Sequence, residues 1–282
     1  MAVAELPAEA DIERLAEAVS RRIGLKRGDL RRKIADRLAA VDSGQRLDFV
    51  ERMLAAPAGD RRWLDFVERM LVHETYFFRH PAQLELLRDE VLPGLDARRR
   101  AEGGRALTVW SAACSTGEEA WTLALLAAVM PGCLTHVGPI PLSILASDVS
   151  EVALTTARAG IYDRLHGLDS FRAIPPWAAG LFTGDGGNGF SIPALLRADV
   201  RFLRHNLLDP PPLAGADLVL CRNALIYFDE SAGERAQRHL AAALRPGGVL
   251  MLGPADSLRL PALFDPIETQ LATAYRKKET AS

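Results

Sequence analysis

The sequence predicts an α/β protein, a parallel sheet flanked by helices and preceded by a helical domain. Three observations predict it. From Leu107 onward, short apolar runs alternate with helix-length stretches, the pattern of parallel strands joined by helical crossovers. Residues 9 to about 95 instead place apolar side chains at three- and four-residue spacing. Between the two regions, "DARRRAEGGRA" is charged and glycine-bearing, as a domain junction should be. The expected division is a helical domain at 1–95 and an α/β domain at 96–282, with a small inserted subdomain at 163–200.

In chain order, Ile12, Leu15, Val19 and Ile23 make one apolar helix face, and Gly24 and Gly28 mark helix ends. The run "RRIGLKRGDLRRKIADR" (21–37) holds eight basic and two acidic residues in a chain of net charge -2. It is either a solvated helix face or a basic helix that speeds encounter with an acidic partner. The octapeptide "LDFVERML" stands at 47–54 and again at 64–71, with Pro57 and Gly59 predicting a turn between two antiparallel helices. A tandem duplication explains it, with packing as its expected effect. Strands are then expected at 107–113, 142–147, 200–203, 216–221 and 248–252, and helices at 118–130, 150–159 and 230–244. The stretch from Tyr162 to Val200 is too long for a crossover loop, and four glycines within 184–189 place a hairpin turn there.

Composition excludes several classes of function. The small net charge gives no bulk attraction to nucleic acid or membrane. The longest apolar stretches are too short to span a bilayer, and the acidic N-terminus lacks the basic start and apolar block of a signal peptide. Cys114, Cys133 and Cys221 have neither disulfide-framework nor zinc spacing, so a reduced, cytoplasmic protein without a metal is expected.

The chemistry concentrates in a few stretches. "WSAACSTGEEAW" (110–121) reads as strand, tight turn and helix, the position of a phosphate-cradling loop. Yet it has one glycine, Gly117, followed by Glu118 and Glu119. Carboxylates there repel a pyrophosphate and attract a cationic cofactor, and S-adenosylmethionine carries a sulfonium and an ammonium on an adenosine. The bland alternative is a pair of favourable charges on a helix N-terminus. In "ILASDVS", Asp148 ends a strand where an acid receives ribose hydroxyls, or else caps the following helix. "ADLVLCRNALIYFD" (216–229) brings Arg222, Asn223 and Tyr227 to another strand end, where they would face the reacting methyl. In "HETYFFRHPAQ" (73–83), Phe77 and Phe78 read as core, while a buried Arg79 would need a carboxylate partner, with a substrate carboxylate as one option.

Together with "RFLRHNLLDPP" and "LRPGGVLMLGPADSL", these stretches resemble the chemotaxis receptor methyltransferases of the CheR type, in order from about residue 70 to 260. The resemblance implies a Rossmann-like S-adenosylmethionine-dependent methyltransferase sheet with an N-terminal helical domain and an inserted β-subdomain. It implies protein-glutamate O-methyltransfer to the cytoplasmic helices of chemoreceptors, releasing S-adenosylhomocysteine. Carried over residue by residue, it implies cofactor contacts at His73, Thr75, Arg79, Glu118 or Glu119, Asp148, Asn206, Leu207, Arg222 and Asn223, with Arg79, Arg222 and Tyr227 at the methyl-transfer site. The partner implied is a receptor's cytoplasmic domain, met by the 21–37 helix, and the protein is expected to act as a monomer. Three departures stand out. His73 replaces the usual asparagine, "GPADS" (253–257) replaces "GHSES", and the glycine-rich loop is short, which argues against tethering to a receptor's C-terminal pentapeptide. A different methyl acceptor, or a non-catalytic cofactor-binding scaffold, remains open on these residues alone.

Overall fold

A computed structural model of the chain describes residues 8–129, 140–163, 170–172, 174–176 and 189–279. Four helices come first: α1 (Glu9–Ile23), α2 (Arg27–Ala39), α3 (Arg46–Ala55) and α4 (Arg61–Glu68). Their apolar faces close one core around Leu15, Val19, Ile34, Trp63 and Phe66. Asp60 caps α4 by accepting from the Arg62 N–H at 2.8 Å, so the turn predicted between the two copies of the octapeptide is present.

An irregular stretch leads into α5 (Pro81–Leu86), a π-turn at Leu87–Val91 and α6 (Leu92–Ala101). The alternating region then runs β1 (Leu107–Ala112), α7 (Glu118–Val129), β2 (Leu142–Asp148), α8 (Glu151–Ala159), β3 (Ile161–Asp163), β4 (Gly189–Ser191), α9 (Ala194–Arg197) and β5 (Val200–Arg204). It closes with β6 (Ala216–Cys221), α10 (Glu230–Ala243), β7 (Leu244–Leu252), β8 (Phe264–Glu268) and β9 (Thr273–Lys277). The main sheet has the order β5-β2-β1-β6-β7-β9-β8, parallel through β7 and antiparallel beyond it. The order reverses between β1 and β6, so a crevice opens at their carboxyl ends, where such sheets bind ligands.

Alternation along β1 explains the layering: Leu107 and Val109 join one apolar cluster, Trp110 and Ala112 the other. The first cluster corrects the boundary expected at residue 95. Phe77, Leu84, Leu87, Leu92 and Leu95 pack in the sheet's core, because the apolar face of 81–101 meets β1 and α7 rather than α1–α4. Two further differences concern glycines and the C-terminus. Pro246–Gly248 is a bulge inside β7 rather than a turn before it, and Gly247 has φ +72°. The hairpin β8–β9 has no counterpart in the sequence reading, since "FDPIE" carries a proline and lacks alternation.

The predicted basic helix 21–37 is not one helix. Gly24, in the left-handed region at φ +84°, ends α1, and α2 starts afresh at Arg27. Its cations are largely engaged: Arg22 donates to the Ala56 and Leu54 carbonyls, Lys33 to those of Met70 and Leu71, and Arg31 pairs with Glu13. Of the predicted insertion, β3 and β4 form an antiparallel pair, while the glycines at 184–188 lie outside the described residues, as does Cys133.

Candidate active site

The helical layer sits over the crevice and is tied down by backbone. The Lys26 N–H donates to the Tyr227 carbonyl at 2.8 Å, the Asp229 N–H to the Gly24 carbonyl at 3.0 Å, and Leu25 bridges to Phe228. Beneath it lies a cavity of 330 Å³, within the range of small-molecule sites. His73, Thr75, Arg79, Glu119, Asp148, Asn206, Leu207, Arg222, Asn223 and Tyr227 all line it. Glu118 does not.

The two glutamates of the β1–α7 turn thus diverge. Glu118 is buried away from the cavity and accepts hydrogen bonds from Thr116 Oγ1 at 2.7 Å and Ser170 Oγ at 2.8 Å. Burial pushes its carboxyl above the ordinary value, against the pull of both hydroxyls. Glu119 accepts from Ser111 Oγ at 2.7 Å and pairs with Arg222 at 3.2 Å, and its carboxylate reaches the cavity. Every nitrogen of Arg222 is engaged: Nε donates to Gln83 Oε1 at 2.9 Å, one terminal nitrogen to Glu119 and the other to the Arg79 carbonyl. With its side chain 3% exposed, it braces Glu119 rather than reaching toward an acceptor.

Asp148 joins the two turns at the ends of β1 and β2. Its oxygens accept from the Ser115 N–H at 2.8 Å and the Ser150 N–H at 2.9 Å, leaving one lone-pair position on each. The cap of α8 is Ser150, whose Oγ accepts from the Ala153 N–H, so Asp148 is not the N-cap. Burial, opposed by those two N–H groups, raises the Asp148 carboxyl above its ordinary 3.8. A raised acid holds its proton more firmly in the folded chain than in the unfolded one. Its contribution to stability is therefore complete below 3.8 and is lost as pH rises through the folded value. Unfolding free energies of Asp148→Asn, which does not titrate, should gain on wild type as pH is raised from 3.8 upward. A pH-independent difference would contradict this.

Backbone strain marks the same place. The non-glycine residues with positive φ among the described residues are Phe78, His80, Ala113, Ser115 and Asn223. Ala113, Ser115 and Asn223 line the cavity, and Phe78 and His80 flank Arg79. Such conformations persist where surrounding structure overdetermines them. For Asn223 the agent is Asp256, which accepts from the N–H groups of Asn223 at 2.6 Å, Ile226 at 2.9 Å and Gly253 at 3.0 Å. His80 Nε2 meets Asn223 Oδ1 at 2.8 Å. The "GPADS" departure therefore still holds the β6 turn through Asp256.

Other predicted residues have mixed commitments. The Asn206 amide donates to the Arg22 carbonyl at 2.7 Å and accepts from the Leu208 N–H at 3.1 Å, tying the helical layer to the crevice. Arg79 donates to the Glu74 carbonyl and has no carboxylate partner among the described residues. His73 Nε2 lies 2.9 Å from Glu68, whose carboxylate also accepts from Ser150 Oγ at 2.7 Å. Glu68 belongs to the second octapeptide copy, whereas its twin Glu51 pairs with Arg14 on the exposed side. Residue patterns gave no sign of that difference, nor of Gln83, Tyr76 or Ser115 at the site.

The residues fit a nucleoside with a cationic tail: a carboxylate at the β2 end for ribose, another on the β1 turn for an ammonium, and a cavity of suitable size. An open, doubly wound sheet with that donor set at its switch point defines an S-adenosylmethionine-dependent methyltransferase fold. The family model "CheR methyltransferase, SAM binding domain" matches residues 73–273, and the chain belongs to that family. Its cofactor is S-adenosylmethionine. The chain is 34% identical over 213 residues to Chemotaxis protein methyltransferase 1 of Pseudomonas aeruginosa, covering 73% of this chain and 74% of that one. It is 36% identical over 220 residues to the Probable biofilm formation methyltransferase WspC of the same organism, covering 75% and 48%. A 104.1 kDa protein of Rhodobacter capsulatus is 39% identical over 189 residues, of which the match spans 67% of this chain and only 19% of the relative.

Proposed function

We propose that the chain forms methyl esters on glutamate side chains of chemoreceptor cytoplasmic helices, as a cytoplasmic enzyme of adaptation in chemotaxis-type signalling. The observation that carries the reading is the cavity itself, which joins Glu119 and Asp148 to the Asn223–Tyr227 turn across the switch point. S-adenosylmethionine supplies the transferable methyl on a sulfonium leaving group. In this reading Asp148 receives the ribose hydroxyls, and Glu119, braced by Arg222, holds the ammonium. Thr75, His73, Asn206 and Leu207 complete the wall.

Tyr227 and Arg79 stand where the acceptor enters. Tyr227 lines the cavity, and its hydroxyl has no hydrogen-bond partner among the described residues. A glutamate carboxylate has an ordinary pKa near 4.3 and is already ionised at neutral pH, so no general base is needed. Tyr227 and Arg79 would orient the acceptor carboxylate toward the methyl that S-adenosylmethionine would supply when bound. The protein's part is alignment and exclusion of water by the helical layer.

Transfer of labelled methyl to receptor cytoplasmic fragments, released by mild alkali as an ester is, tests the reading. Label that resists alkali, or no transfer by a chain that binds S-adenosylhomocysteine, would overturn it. The remaining cations of α1 and α2, Arg21 and Arg32 among them, are proposed as the surface that meets the acidic receptor helix.

A further inference from the structure

Tyr76 has a setting that the cofactor does not explain. It lines the cavity, and its hydroxyl has no hydrogen-bond partner among the described residues. Its ring is gripped by two guanidiniums, Arg172 at 3.9 Å and Arg79 at 5.5 Å from the centroid. Arg172 is in turn held by Glu74 at 2.8 Å, on the exposed rim. Arg172 comes from between β3 and β4, and its neighbours Ser170 and Phe171 are fastened beside the site. Ser170 Oγ donates to Glu118, the Ser170 carbonyl accepts from the Phe77 N–H at 2.9 Å, and Phe171 stacks on Phe77 with centroids 5.6 Å apart.

We infer that Tyr76 binds the acceptor carboxylate, donating its hydroxyl proton in a hydrogen bond, and that Arg172 is the positioning residue that fixes its ring. The inference rests on the function proposed above. Chemistry favours a phenol in this role. A guanidinium gripping the nucleophile would set a full positive charge and two parallel N–H bonds against it and blunt its attack, whereas a neutral hydroxyl makes one bond, orients it and leaves lone pairs for the methyl. All three nitrogens of Arg222 are already engaged, by Glu119, Gln83 and the Arg79 carbonyl. The two unpartnered phenols, Tyr76 and Tyr227, would then hold the acceptor from the 72–80 segment and from the β6 turn.

The test uses the full chain with S-adenosylmethionine and a receptor cytoplasmic fragment, together with equilibrium binding of the fragment to the S-adenosylhomocysteine complex. Tyr76→Phe should raise the acceptor KM and Kd roughly tenfold or more, the lower end of what one hydrogen bond to a charged group is worth. The dissociation constant for S-adenosylhomocysteine should stay unchanged, which also reports that the variant is folded. Arg172→Ala should shift acceptor KM in the same direction by several-fold, and Arg172→Lys, which keeps a cation on the ring, should restore most of it. A Tyr76→Phe protein equal to wild type in acceptor KM and kcat, while wild type methylates the fragment, overturns this inference alone. So does a Tyr76→Phe loss that appears in cofactor affinity instead. A wild-type chain that neither binds nor methylates the fragment overturns the inference and the functional reading together.

Discussion

Glu119→Ala is expected to lower folding stability by about 3 kcal/mol and to remove measurable binding of S-adenosylhomocysteine. The stability loss follows from Arg222, whose side chain is 3% exposed and would keep its charge without a counter-ion. Burial already presses the Arg222 guanidinium below its ordinary value, and the Glu119 carboxylate is the main opposing influence. Denaturant unfolding measures this part. The binding loss is read separately through Glu119→Gln, whose one oxygen can still accept from Arg222 while its amide meets Ser111 Oγ, with no charge for an ammonium. That variant should stay folded and bind S-adenosylhomocysteine roughly tenfold to a hundredfold more weakly by calorimetry, the worth of one charged hydrogen bond. Wild-type affinity in Glu119→Gln would remove Glu119 from the cofactor site.

Asp256→Ala should be the second most damaging change, although the residue lies outside the cavity lining. It strands three backbone donors, those of Asn223, Ile226 and Gly253, at a cost of roughly 3 kcal/mol. It also frees Asn223 from its φ of +60°, a conformation a non-glycine residue leaves when its restraint goes. Cofactor affinity should then fall with stability. The neighbouring Gly253 is bound by the same geometry, since a Cβ there would stand 2.5 Å from the Asn223 nitrogen. An Asp256→Ala protein with wild-type unfolding and wild-type affinity would show that the β6 turn holds itself.

Much of this was legible in the residues. Apolar alternation located the five parallel strands to within a few positions, because buried strands must be apolar for several residues in a row. The acids Asp148 and Glu119 stood out for their chemistry at strand ends, where an ordinary loop has no use for them. What residue types could not reveal was direction. Glu118 and Glu119 are adjacent and identical, and only the 100° turn between helix neighbours sends one to Ser170 and the other to the cavity. Arg222 looked like an acceptor ligand because its partners, Gln83 and the Arg79 carbonyl, are more than a hundred residues away in sequence. The basic run holds two glycines, Gly24 and Gly28, and residue types alone do not say which of them ends a helix; the φ of +84° at Gly24 does. Tyr76 was hidden beside two phenylalanines, Phe77 and Phe78, that do belong to the core.

The two octapeptide copies have parted in use while staying identical in letters. Glu51 faces Arg14 at the surface, and Glu68 reaches Ser150 and His73 beside the cavity. A slip of the replication machinery between the repeats would excise Leu47 to Trp63 and leave one intact copy behind. The survivor would inherit two addresses with one helix to fill them. The lost stretch includes Trp63, whose indole lies 4.2 Å beneath the Arg22 guanidinium. Such a contraction reads as silent in an alignment of the motif, yet it would unroof the chamber from the side opposite the sheet.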